Sequence, residues 1–162
     1  MDANTTAGAT AGTTAVDELD RIDRSIDIDA TADRVWSLIS QPGWWINDGT
    51  INPDQVVERD TGDDSGDDTV VVVRHEKHGE FRVRTIELDQ PRYAAFRWLA
   101  NDDHDGTLVE FWVEDRPGGV VLRVVESGFS GLSDDRPTWL TAREGNVEGW
   151  ATELAAARTH LT

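Results

Sequence analysis

The chain has 162 residues, enough for one domain with a substantial core and little room for a second. Its formal net charge is −17, with 32 Asp and Glu against 15 Lys and Arg, and its arginines are scattered, so nucleic acid and anionic membranes are poor partners for it. Cysteine is absent, which excludes disulfides, thiolate nucleophiles and cysteine-ligated metals, and no apolar run approaches the roughly 20 residues of a membrane helix.

Lys77 is the only lysine, and the N-terminus has neither a basic segment nor an apolar signal core. We read the chain as soluble and cytoplasmic. Dense carboxylates suit a high-salt cytoplasm, where salt screens their repulsion, so the composition is that of a halophile; a GC-rich genome replacing Lys by Arg is the alternative. On either account the acidity concerns solvent rather than substrate.

Residues 1–19 are small and polar with little to bury, and are expected to form a disordered tail ahead of a single domain over 20–162. "RIDRSIDID" (Arg21 to Asp29) alternates as a half-buried strand, with Ile22, Ile26 and Ile28 on the face that Arg24 interrupts. "ATADRVWSLIS" predicts a short helix started by Thr31 or Asp33, burying Val35, Trp36, Leu38 and Ile39 and stopping before Pro42. In "QPGWWINDG" (Gln41 to Gly49), Trp44 and Trp45 are expected to begin a second short helix. Their rings would then diverge by about 100°, one plugging a cavity mouth and the other packing beneath the first helix.

Strand signals dominate from there to Ser127: "QVVER", "TVVVVRHE", "EFRVRTIEL", "YAAFRWLA", "TLVEFWVE" and "GVVLRVVES". The linkers "KHG", "DQPR", "NDDHDG" and "DRPGG" hold the residues of tight antiparallel turns, and "DTGDDSGDD" (residues 60–68) reads as a solvated hairpin connection. Val147, Trp150, Leu154, Ala157 and Leu161 then recur at spacings of three and four. "REGNVEGWATELAAARTHL" is therefore an amphipathic helix, with Thr141 and Glu144 spaced as a capping box and Gly145 and Gly149 placed for close packing. This order predicts an α+β fold: a curved antiparallel sheet of about seven strands gripping a long C-terminal helix, with two short helices after the first strand.

"IDRSIDIDATADRVWSLIS" with its double Trp, "RVRTIELDQPRYAAFRWLA", "VVESGFSGL" and "REGNVEGWATELAAARTHL" resemble the bacterial and archaeal homologues of the activator of heat-shock-protein-90 ATPase. These belong to the START-like (SRPBCC) superfamily. The resemblance spans about Arg21 to Leu161 and implies the helix-grip fold, with a cavity between sheet and long helix. That superfamily hosts carriers, cyclases, hydrolases and co-chaperone modules, so the scaffold does not name a reaction. Its larger eukaryotic relatives carry a separate N-terminal domain where this chain has only a tail, which argues against a chaperone partner.

Strand alternation names the lining of such a cavity: Val73 and His75, Phe96 and Trp98, Phe111, and Val124 with Glu126. Phe129, Trp150 and Leu154 face them from the helix side, and Trp44 or Trp45 stands at the mouth. The same residues would serve equally as plain core. Glu126 continues an apolar series, so it is expected to pair with Arg24 on the first strand, to act as a general base or ligand anchor, or to be solvated at the sheet end. His75 is a second acid–base candidate. His75 and His78 point to opposite sides, so no metal is expected from "RHEKHGE", and neither His104 nor His160 supports a mechanism. No phosphate loop, nucleophile-elbow serine or calcium loop is present, and no cofactor is implied. The leading expectation is binding of a small hydrophobic or aromatic molecule, ahead of a cyclase- or hydrolase-like enzyme and a chaperone-interacting module.

Overall fold

A computed structural model describes residues 18–52, 55–59, 70–77, 79–99 and 106–162. The stretch read as a tail lies outside these up to residue 17, as do the acidic connection at 60–68, His78 and His104. Among the described residues, Glu18–Asp20 form one 3-10 turn that leads into strand β1 (Arg21–Ile28). Helix α1 (Ala32–Ile39) follows, and then strands β2 (Val56–Arg59), β3 (Val70–His75), β4 (Gly79–Asp89), β5 (Tyr93–Leu99), β6 (Thr107–Arg116) and β7 (Gly119–Ser127). A second 3-10 turn, Phe129–Gly131, precedes helix α2 (Arg136–Leu161).

All seven strands join one antiparallel sheet in the order β1-β7-β6-β5-β4-β3-β2. Strands β2 to β7 form a meander, each hydrogen-bonded antiparallel to the next in the chain. Strand β1 docks on β7, with Ile22, Ile26 and Ile28 opposite Glu126, Leu122 and Val120. A bulge in β4 between Thr85 and Glu87 shifts its register against β5, and such an extra residue bends a strand and increases its twist. The concave face built this way presents Val83, Phe96, Val109, Phe111, Leu122 and Val124 to the core.

Helix α2 closes that face. It begins earlier than the Thr141–Glu144 capping box suggests: Asp135 is the N-cap and accepts from Thr138 N at 3.2 Å, with Pro137 in the first turn. The earlier start brings Trp139 into the buried stripe with Trp150, Leu154, Ala157 and Leu161, and Thr141 instead donates its hydroxyl back to Pro137 O. Each large apolar side chain so buried contributes roughly 1.5–3 kcal/mol. Helix α1 is capped by Thr31, which accepts from Arg34 N, and buries Val35, Trp36, Leu38 and Ile39. Arg34 Nε donates to Leu161 O at 2.8 Å, tying α1 to the end of α2. No helix among the described residues is long and apolar enough to cross a membrane.

The second short helix expected at Trp44 is not formed. Residues 41–45 make turns, with Trp44 N donating to Gln41 O, Ile46 N to Gly43 O and Asn47 N to Trp45 O. Gly43 sets this conformation: its φ of 81° lies outside the helical region, and an added Cβ would meet Val73 Cγ2 at 2.5 Å.

Candidate functional site

The turn that replaces the helix sends both indoles inward. Trp44 is 2 % exposed and Trp45 3 %, their rings meeting edge to face at 6.2 Å. Trp44 packs on Phe111 at 5.4 Å as core. Trp45 touches Phe96, Trp98, Phe111 and Trp150, all with centroids within 6 Å, and of the two it is the one that borders open space. Gln55 fixes the turn by donating its amide to Gly43 O and Ile46 O, and Asn47 donates to Trp44 O.

That open space is a cleft of about 410 Å³ between the 45–47 turn, the sheet and α2. Phe81, Trp98, Trp45 and Trp150 form a continuous chain of rings along it, with successive centroids 6.0, 5.8 and 5.9 Å apart. Helix α2 supplies one wall through Gly145, Asn146, Gly149, Trp150 and Glu153, so the chain of rings ends on the helix at Trp150. Of the residues the sequence proposed as lining, the cleft is bordered by Trp45, Trp98 and Trp150. Val73, Phe96, Phe111, Val124, Phe129 and Leu154 are packed in the core cluster behind it, together with Trp44.

The two helix glycines are not there for close packing. A Cβ added at Gly145 or Gly149 would meet nothing within 4 Å, so the space beside each is open.

Glu126 lies one layer deeper, 1 % exposed. Its partner is not Arg24: Ile22 stands across from Glu126, whereas Arg24 is exposed and donates to the neighbouring Asp23 O. Three neutral donors serve the carboxyl instead, namely Thr107 Oγ1 at 2.5 Å, Trp150 Nε1 at 2.8 Å and Asn146 Nδ2 at 3.0 Å. Burial pushes its pKa up, and the three hydrogen bonds only partly oppose that. Since Trp150 and Asn146 both border the cleft, Glu126 holds part of the cleft wall in place from behind.

His75 is elsewhere. Its Nδ1 accepts from Lys77 N at 3.1 Å, its Nε2 stands 3.9 Å from Asp48 Oδ2, and it borders a separate, more polar recess with Arg74, Asn52, Gln55 and Glu80.

Glu153 is the residue that strand-based reasoning passed over. It is 5 % exposed and borders the cleft. Its Oε2 accepts from Gly49 N at 3.1 Å, but its Oε1 is buried with no hydrogen-bond partner, as are Nε1 of Trp44 and Trp45. Burial, with Asp48 adding to it and the Gly49 amide opposing, pushes this carboxyl up to about 7. A signal was present in the sequence: Asn146, Trp150, Glu153 and Ala157 follow one another at spacings of four, three and four, which puts a carboxylate on the buried stripe.

No protein-family model and no curated protein matches the chain. Solved structures do. The Aha1 dimer from Colwellia psychrerythraea aligns at a TM-score of 0.61 and 14% identity, over 87% of this chain and 95% of that one. A START superfamily protein from Mycobacterium smegmatis aligns at 0.57 and 15% identity, over 88% and 99%. The Polyketide_cyc-like protein Cgl2372 from Corynebacterium glutamicum aligns at 0.56 and 17% identity, over 87% and 90%. What likeness at these identities establishes is architecture, and with the seven-stranded antiparallel sheet closed by a C-terminal helix it shows that this chain has the START-like helix-grip fold.

Proposed function

We propose that the protein binds a small apolar or aromatic molecule in the cleft between Trp45, Phe81, Trp98 and α2. The observation that carries this is the glycine pair. Gly in a helix interior costs about 1 kcal/mol relative to Ala, and α2 accepts that cost at two positions where no neighbour requires the missing Cβ. Both glycines border the same aromatic cleft, whose volume of about 410 Å³ falls in the range of small-molecule sites. Filling the cleft from the helix would be easy, and the sequence leaves it open. Acid–base catalysis through Glu126 is not part of this proposal, because that carboxyl is already held by three donors behind the wall.

The test is a fluorescence titration with the neutral aromatic probe N-phenyl-1-naphthylamine, alongside Gly149→Leu. The side chain introduced there grows into the open space beside α2. Saturable binding by the natural sequence and at least about tenfold weaker binding by a folded Gly149→Leu are expected. Equal binding by the two proteins would place the probe elsewhere and remove the proposal.

A further inference from the structure

We propose that the occupant of this cleft is an organic ammonium, an amine carried on a small aromatic or alicyclic frame, with Glu153 as its counter-charge and specificity-determining residue. This rests on the cleft being a ligand site, and adds what kind of ligand.

Three features of the cleft converge on a cation. Glu153 is almost wholly buried at the helix wall, its carboxyl oriented through Oε2 by Gly49 N, while Oε1 has no donor. No cation pairs with it among the described residues. An unmet acceptor in such a place costs free energy unless something arrives to donate to it. Phe81, Trp98 and Trp45 border the same cleft from the sheet and the 45–47 turn, with Trp150 beside Glu153 on α2, and aromatic rings attract a positive charge, Trp most strongly. The wider field has the same preference: the chain carries −17, and Asp48 lies close enough to Glu153 to disfavour a second negative charge there. A carboxylate or phosphate ligand would meet repulsion, and a neutral hydroxyl would satisfy Oε1 while leaving the ring faces and the field unused.

A link to pH follows. Buried and unpaired, Glu153 holds its proton up to about pH 7. An ammonium at Oε1 favours the ionised form, so binding at lower pH must release that proton. Affinity therefore rises with pH and levels off above about 7. The charged groups around this carboxyl are Asp48 on the 46–52 segment and Glu126 on β7 behind Trp150 and Asn146. His75 and Lys77 face Asp48 at 3.9 and 3.8 Å.

The experiment uses the full chain and three probes of one shape: phenethylamine, the neutral 2-phenylethanol and the anionic 3-phenylpropionate, titrated at pH 6 and pH 8. Phenethylamine is expected to bind at pH 8 about tenfold or more tighter than 2-phenylethanol, and to lose about tenfold at pH 6, while the alcohol changes little. Glu153→Gln should abolish the amine's advantage and its pH dependence while leaving the alcohol's affinity within about twofold. Should that variant fail to fold, the pH ratio of the natural sequence decides alone. Equal affinities for amine and alcohol, both removed by Gly149→Leu, would overturn the ammonium and leave the cleft as a ligand site. An amine preference that survives in Glu153→Gln would overturn the role of Glu153. No binding of any of the three probes while N-phenyl-1-naphthylamine still binds would overturn the ammonium and leave the cleft as a ligand site, and loss of that probe as well would overturn both proposals.

Discussion

The cleft between α2 and the sheet has a buried glutamate at its closed end, Glu126 behind Asn146 and Trp150, and another at its open end, Glu153 on the wall itself, and the two are built to opposite plans. At the closed end Glu126 is surrounded by Thr107, Asn146 and Trp150, whose donors satisfy both carboxyl oxygens. At the open end Glu153 has one donor, the Gly49 amide, and one oxygen with none. Burial raises the pKa of both. What distinguishes them is completeness: a saturated buried network fixes a structure, whereas an unsaturated one leaves a demand that a ligand is able to meet.

Removing the acceptor at the closed end should have the largest effect. Glu126→Ala strands the Trp150 indole N–H, the Asn146 amide and the Thr107 hydroxyl, and leaves a hole besides. A loss of about 3–4 kcal/mol in urea denaturation is expected. Glu126→Gln keeps an acceptor and the volume, so it should lose about 1 kcal/mol. If the alanine variant lost no more than the glutamine variant, the network would not be holding the wall.

The open end is read out by pH. Glu153 titrates near 7 in the folded chain against an ordinary 4.5, so between those values the native state binds more protons than the unfolded one. Raising the pH through that window therefore lowers stability; the contribution is fully present below about 4.5 and fully lost above about 7, a change of up to about 3 kcal/mol. Glu126, also raised, acts in the same direction. Surface carboxylates such as Asp23, held low chiefly by its hydrogen bond from Arg123, act in the opposite sense at lower pH. The difference between the natural chain and Glu153→Gln, measured from pH 5 to 8, isolates the residue. A difference that stays flat across that range would mean that Glu153 is ionised and solvated throughout.

Most of the architecture was legible because it rests on periodicity. The alternation of "RIDRSIDID" and the three-and-four spacing after Trp150 belong to the chain itself, and the sheet and helix followed from them. The errors arose where a single residue overrides a pattern. Gly43, with its positive φ against Val73, turned an expected helix into a turn. Asp135 with Pro137 started α2 ahead of the Thr141 capping box. Glu126 was read as continuing an inward apolar series and is buried, but its partners came from β6 and α2, elements whose register against β7 no local pattern specifies. Strand alternation says nothing of Glu153, which lies on the helix, although a carboxylate within the apolar stripe of a helix is as odd as one within the apolar series of a strand.

The smallest expected effect bears most directly on why the open end stays open. At Gly145 and Gly149 a methyl group meets nothing, so alanine gains helix propensity without strain. Each substitution should add about 0.5–1 kcal/mol to stability. Both glycines border the cleft, so the double variant should melt higher while binding an aromatic probe more weakly. A rise in melting temperature with undiminished binding would mean that the glycines are neutral to function and that the cleft is deeper on the sheet side. A stability gain accompanied by lost affinity would show that α2 carries its two glycines to keep room for a ligand.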